Sequence, residues 1–139
     1  MRNQDEDYPT EYIELTGPVD APLDDYILVI FTERGRSSYT VNLAEVRFDQ
    51  SGLVLIGSRG MDPTPTVSFV RSTIPIIHQG SGAVVLYRGT LTDFFVGTAM
   101  SRANVVDAVV WIDDYTKLEN EMTNVVTPGS QSFYAGNLG

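Results

Sequence analysis

The chain has 139 residues, nine Lys and Arg against 18 Asp and Glu, a formal net charge of −9 and no cysteine. One domain is the natural count at this length, large enough to bury a core without disulfide staples. A cysteine nucleophile and a cysteine-ligated metal are excluded; duplex nucleic acid and anionic membrane surfaces are disfavoured, because Lys117 and the eight arginines are scattered singly and form no basic stripe.

Residues 1–10 are polar and acidic up to Pro9 and read as an extended arm, with Asp5, Glu6 and Asp7 a solvated charge run. No apolar h-region of a secretion signal follows Met1, and no apolar run approaches the ~20 residues of a membrane helix. In Glu11–Leu15, Ile13 and Leu15 share one face and Tyr12 and Glu14 the other, which predicts a half-buried strand. Two prolines, Pro18 and Pro22, punctuate the next loop. Tyr26–Phe31 is apolar throughout and suits a strand covered on both faces. A hairpin turn at 33–36, with Gly35 supplying the positive φ, leads into Tyr39–Leu43, where Tyr39, Val41 and Leu43 point inward. Ser51-Gly52 opens a strand over Leu53–Ile56. Val67–Val70 is a weaker strand, and Pro75 confines the residues after it to a sheet edge or to irregular backbone.

The cleanest apolar run, Ala83–Arg88, comes next and reads as the central buried strand. Residues 90–102 read as a loop in which Phe94 and Phe95 plug one end of the core. Val105–Ile112 is the last strong strand, with Val106, Ala108, Val110 and Ile112 on one apolar face and Asp107 on the other, where it needs water or a hydrogen-bond partner. Thr116-Lys117-Leu118-Glu119 matches a capping box, so one short helical turn is expected there. The tail holds Phe133 and Tyr134 in turn-rich surroundings. About seven short strands, turn signals between them and almost no helix predict an all-β fold, an antiparallel β-sandwich. The division is an acidic arm (1–10), a sandwich domain (11–122) and an extended tail (123–139).

Five segments, in order and spacing, resemble the lamin tail domain family. They are Glu11–Leu15, Leu23–Val29, Gly52–Gly57, Gln79–Arg88 and Asn104–Val110, with Thr127-Pro128-Gly129 at the usual end of such domains. The resemblance covers residues 11–129 and is nearest the branch found in extracellular and multidomain proteins, often beside nuclease or phosphatase domains. It implies an immunoglobulin-like sandwich, a binding or scaffolding role without catalytic residues, and an extracellular setting. The coiled-coil rod of a lamin is absent, so filament formation by that route is not implied.

His78 is the only histidine. Its neighbour Ser81 lies in the same turn and has no geometric reason to form a nucleophile–base pair with it, and one histidine cannot make a structural zinc site. Gly80-Ser81-Gly82 lacks the Lys of a phosphate-binding loop and precedes a strand, so it reads as turn chemistry. Glu11 and Glu14 face opposite ways on one strand and cannot serve together as a glycosidase pair. Tyr12, Tyr39, Tyr87, Tyr115, Tyr134 and Trp111 read as core and rim packing. Asp24-Asp25 and Asp113-Asp114 sit at strand ends and are the candidate calcium ligands. No other cofactor is expected.

The function read from the sequence is a non-catalytic protein-interaction or assembly module. It would use sheet edges and extended ends, with Tyr8, Phe133 and Tyr134 as contact residues and a second copy or a neighbouring domain as partner. The alternatives are an accessory domain of a secreted nuclease- or phosphatase-type hydrolase and a calcium-dependent adhesion module.

Overall fold

The computed structural model describes residues 11–32, 34–69, 82–112 and 133–134, the last two and 111–112 by backbone alone. The chain is all-β, with two sheets dominated by antiparallel pairs, consistent with a β-sandwich; no α-helix occurs among the described residues. The residues gather into two compact units, the first drawn from 11–24 and 43–69, the second from 25–42, 82–112 and 133–134.

The first unit holds a three-stranded sheet. β1 (Tyr12–Thr16) pairs antiparallel with β4 (Leu53–Gly57), from Tyr12↔Gly57 to Thr16↔Leu53. β1 alternates as its period-two pattern predicts, with Ile13 and Leu15 half-buried and Tyr12 and Glu14 exposed. β5 (Val67–Ser68) joins β4 in parallel and is shorter than the expected 67–70. The proline-punctuated loop is pinned along residues 46–48. The Asp20 N–H donates to the Phe48 carbonyl (3.0 Å), the Leu23 N–H to Val46 (2.9 Å) and the Phe48 N–H to Ala21 (3.1 Å). Leu23, Leu43, Phe48, Val54, Ile56 and Phe69 are buried. The Phe48 ring lies so close to Gly17 that a Cβ there would come within 2.5 Å of it. Gly52, at φ 74°, makes the turn into β4, a left-handed conformation that costs glycine little.

The second unit is a five-stranded sheet in the order β3-β2-β6-β7-β8, with β6 (Gly82–Arg88) at its centre as its apolar run predicts. β2 (Tyr26–Thr32) pairs antiparallel with β6 from Tyr26↔Arg88 to Thr32↔Gly82, and residues 27–31 are all buried. β3 (Ser37–Asn42) forms the hairpin with β2; Gly35 sits at φ 71° in its turn, and the register shifts at Ile30/Phe31. One face collects Ile27, Val29, Phe31, Ala83, Val85, Tyr87, Phe94 and Val110 into a single cluster.

β7 (Val105–Ile112) corrects one expectation. Its register against β6 shifts between Leu86↔Asp107 and Tyr87↔Val105, leaving Val106 as an extra residue in a bulge. The bulge breaks the period of two. Val106 is 50% exposed, and Val105 packs against the core cluster in its place. The expected Phe94–Phe95 plug is also half corrected, since Phe94 is buried at 7% exposure while Phe95 stands 69% exposed. Within the expected loop, Leu91–Asp93 forms a 3₁₀ turn. The Thr90 N–H donates to Asp93 Oδ2 (2.9 Å), and the Asp93 N–H donates back to the Thr90 carbonyl (3.0 Å). From the tail, β8 (Phe133–Tyr134) adds to β7 in parallel, Trp111↔Phe133 and Ile112↔Tyr134. The two short parallel contacts, β4–β5 and β7–β8, depart from an all-antiparallel plan. The helical turn expected at 116–119 and the role expected for Pro75 lie outside the described residues.

Candidate functional site

Two features of the second unit bring together groups with chemical potential. The first lies at the Arg88 end of β6. Tyr87 is fully buried between Phe31 (ring centroids 6.2 Å, edge-on) and Phe94 (4.3 Å, tilted). Its hydroxyl donates to the Ser101 carbonyl (2.8 Å) and accepts from the Ser101 N–H (3.3 Å). Burial raises the phenol's pKa above its ordinary 10.0, and the two Ser101 hydrogen bonds oppose that shift. Tyr87 thus ties segment 98–104 to the core as a neutral phenol.

Above it opens a cleft of about 290 Å³, with Arg88, Asp93, Thr98, Ser101 and Asn104 among its walls. Its charged groups are already engaged. Arg88 reaches the Tyr26 hydroxyl (3.4 Å) and lies 5.5 Å from that ring's centroid, while Asp93 holds the Thr90 amide. The arrangement stabilises the turn and offers a shallow polar recess.

The second feature is the outer edge of β7. β6 covers one side of the strand, and β8 touches the other side at Trp111 and Ile112. Val106 and Val109 are 50% and 56% exposed, and Asp107 is exposed beside them. The Ala108 N–H donates to Asp107 Oδ1 at 2.8 Å, so the partner that Asp107 needs is its own strand's backbone. The opposite edge of the sheet differs. There Ser37 is buried, its N–H donates to the Thr98 carbonyl (2.9 Å), its carbonyl accepts from Gly97 (2.8 Å), and its hydroxyl donates to Phe95 (2.9 Å). An isolated bridge joins Arg36 to Ala99.

Of the residues singled out in the sequence, Asp24 and Asp25 are exposed. Asp24 Oδ1 accepts the Glu45 N–H at 2.7 Å, holding a turn in which Glu45 has φ 67°, and the Asp25 carbonyl accepts the Gly89 N–H at 2.8 Å. Asp113 and Asp114, the other half of the calcium set, lie outside the described residues, as do Tyr8, His78 and Ser81. Among the described residues no group of three or more His, Asp or Glu could hold a metal. Phe133 and Tyr134 are placed by their backbone in β8. Glu11, at the entry to β1, accepts through its carbonyl from the Ser58 N–H (2.9 Å). Among the described residues no helix is long and apolar enough to cross a membrane. The sequence reading missed the β7 edge because the bulge is silent in the hydrophobic pattern; its only trace is an Asp between Val106 and Ala108.

Comparison of the chain with protein-family models, with curated proteins and with solved structures gave no match in any of the three.

Proposed function

We propose that this chain is a non-catalytic protein-interaction module, an immunoglobulin-like sandwich of the lamin tail type that recruits another polypeptide by strand addition at a sheet edge. The observation that carries this reading is the outer edge of β7. It combines exposed Val106 and Val109 with a strand, β8, that already pairs along its far end. An edge strand presents backbone donors and acceptors in a fixed register, and side chains alternating along it supply selectivity. The family resemblance points the same way, to binding and scaffolding in an extracellular or multidomain setting.

Hydrogen exchange of the full chain, followed by NMR, tests the reading. Amides of β7 that point away from β6 are expected to exchange fast, while those of β2 and β6 are protected. Equal protection along both sides of β7 from Val105 to Val110 would leave the edge with nothing to offer and would overturn the proposal.

A further inference from the structure

We infer that the β7 edge between Val105 and Val110 is selective for an extended segment of a different chain that places a lysine or arginine beside Asp107. This rests on the edge-pairing reading above and adds which edge is used and what it takes.

The sheet's two outer strands are treated differently. At β3, the segment Gly97–Ala99 lies along Arg36 and Ser37 and uses the Ser37 backbone and hydroxyl groups. At β7, the neighbour on the outer side among the described residues is β8, and it pairs with Trp111 and Ile112. A strand added between Val105 and Val110 therefore continues a lane that the fold already uses.

Natural sheet edges carry guards against indiscriminate pairing, and charged side chains and bulges are two of them. β7 has both, the Val106 bulge and the Asp107 carboxylate on the Ala108 N–H. A carbonyl from an incoming strand that takes over the Ala108 amide releases the carboxylate. Released and exposed, the carboxylate is open to pair with a cation, and a lysine or arginine on the incoming strand gains that pair where a neutral or acidic residue does not. Val106 and Val109, both half exposed, give the same strand apolar contacts on either side of that charge.

A second copy of this chain fits poorly. It carries the same net charge of −9, and pairing β7 with β7 around Asp107 sets like charges across the new ladder. The occupant is a basic or locally basic segment of another polypeptide.

The test titrates the labelled full chain with a capped strand-forming peptide of alternating threonine and valine with lysine at its centre, and with the same peptide carrying glutamate there. Amide shifts confined to Val105–Val110, with the lysine peptide binding about fivefold tighter, are expected. Asp107→Asn, an exposed substitution whose folding is checked by circular dichroism, should erase the preference without abolishing binding. Shifts that map to β3 or to β1 instead would overturn the choice of edge while leaving edge pairing intact. Binding of neither peptide at millimolar concentration would overturn the inference, and so would equal affinity for both. So would a solution mass that rises above 15.3 kDa with concentration and returns to monomer in Val109→Lys, since a second copy would then be the occupant.

Discussion

In the second unit β2 is buried continuously from Ile27 to Phe31, and its sheet closes on an aromatic trio, Phe31, Tyr87 and Phe94. In the first unit β1 buries nothing fully. Its sheet relies on β4 and on Phe48 packed against a glycine backbone. Around β2 the aromatic trio fills the space, so the change expected to hurt there is a loss of volume. At the Phe48–Gly17 contact the ring meets bare backbone, so the change expected to hurt there is a gain.

Phe31→Ala is expected to give the largest effect, a loss of about 3–5 kcal/mol in denaturant unfolding, because an edge-on partner of both Tyr87 and Phe94 disappears and leaves a cavity. Trp111 in β7, the only tryptophan, follows this unit by fluorescence. In the first unit the damaging change is Gly17→Ala, which pushes a methyl into the buried Phe48 ring and should cost about 1–3 kcal/mol by circular dichroism. A Gly17→Ala loss as small as that of an exposed substitution would show that Phe48 yields easily and would break the contrast between the units.

Tyr87→Phe comes next, at about 1 kcal/mol, for the hydroxyl that bridges to Ser101. It carries a pH signature as well. Because the folded phenol titrates above its ordinary 10.0, its contribution is complete below pH 10. Above that the unfolded chain loses its proton first, and stability falls as pH rises through the folded pKa. Tyr87→Phe should remove part of that alkaline loss in a Tm-against-pH series. The smallest expected effect is Asp24→Ala, which removes one exposed hydrogen bond to the Glu45 amide and should cost about 0.5 kcal/mol, with Asp24→Asn retaining most of it.

The strands that were legible in the sequence are those whose pattern is uninterrupted. β2 and β6 are runs of β-branched and aromatic residues bounded by turn residues, and the cleanest of them is the centre of its sheet. β1 followed its alternation because one face is half-buried and the other exposed. Legibility failed where one residue changed the phase. The bulge at Val106 exchanged the inward places of Val105 and Val106, and no hydrophobic pattern distinguishes a valine in a bulge from one in a ladder. Phe94 and Phe95 are adjacent in irregular backbone, where no period exists to say which turns inward. Thr90 and Asp93 did carry the spacing of a capping box, but Gly89 and Gly97 on either side made the stretch read as plain loop. β5 was legible as a weak strand but is only two residues long, β8 is too short for any periodicity, and the parallel sense of both is set by the chain's path. Of the candidate site, Asp107 was legible only as a charge that needed a partner.

The antiparallel pairing of β2 with β6 joins segments far apart in the chain, from Thr32↔Gly82 to Tyr26↔Arg88. During synthesis at roughly 5–20 residues per second, the most apolar strand of the protein waits on the order of 3–10 seconds for the strand that will cover it. Its hairpin partner β3 follows within a few residues and is the one neighbour made early. Until β6 emerges, the part of this sheet that can form is the β2–β3 ribbon, and the side of Ile27–Phe31 that β6 will cover is open to a chaperone.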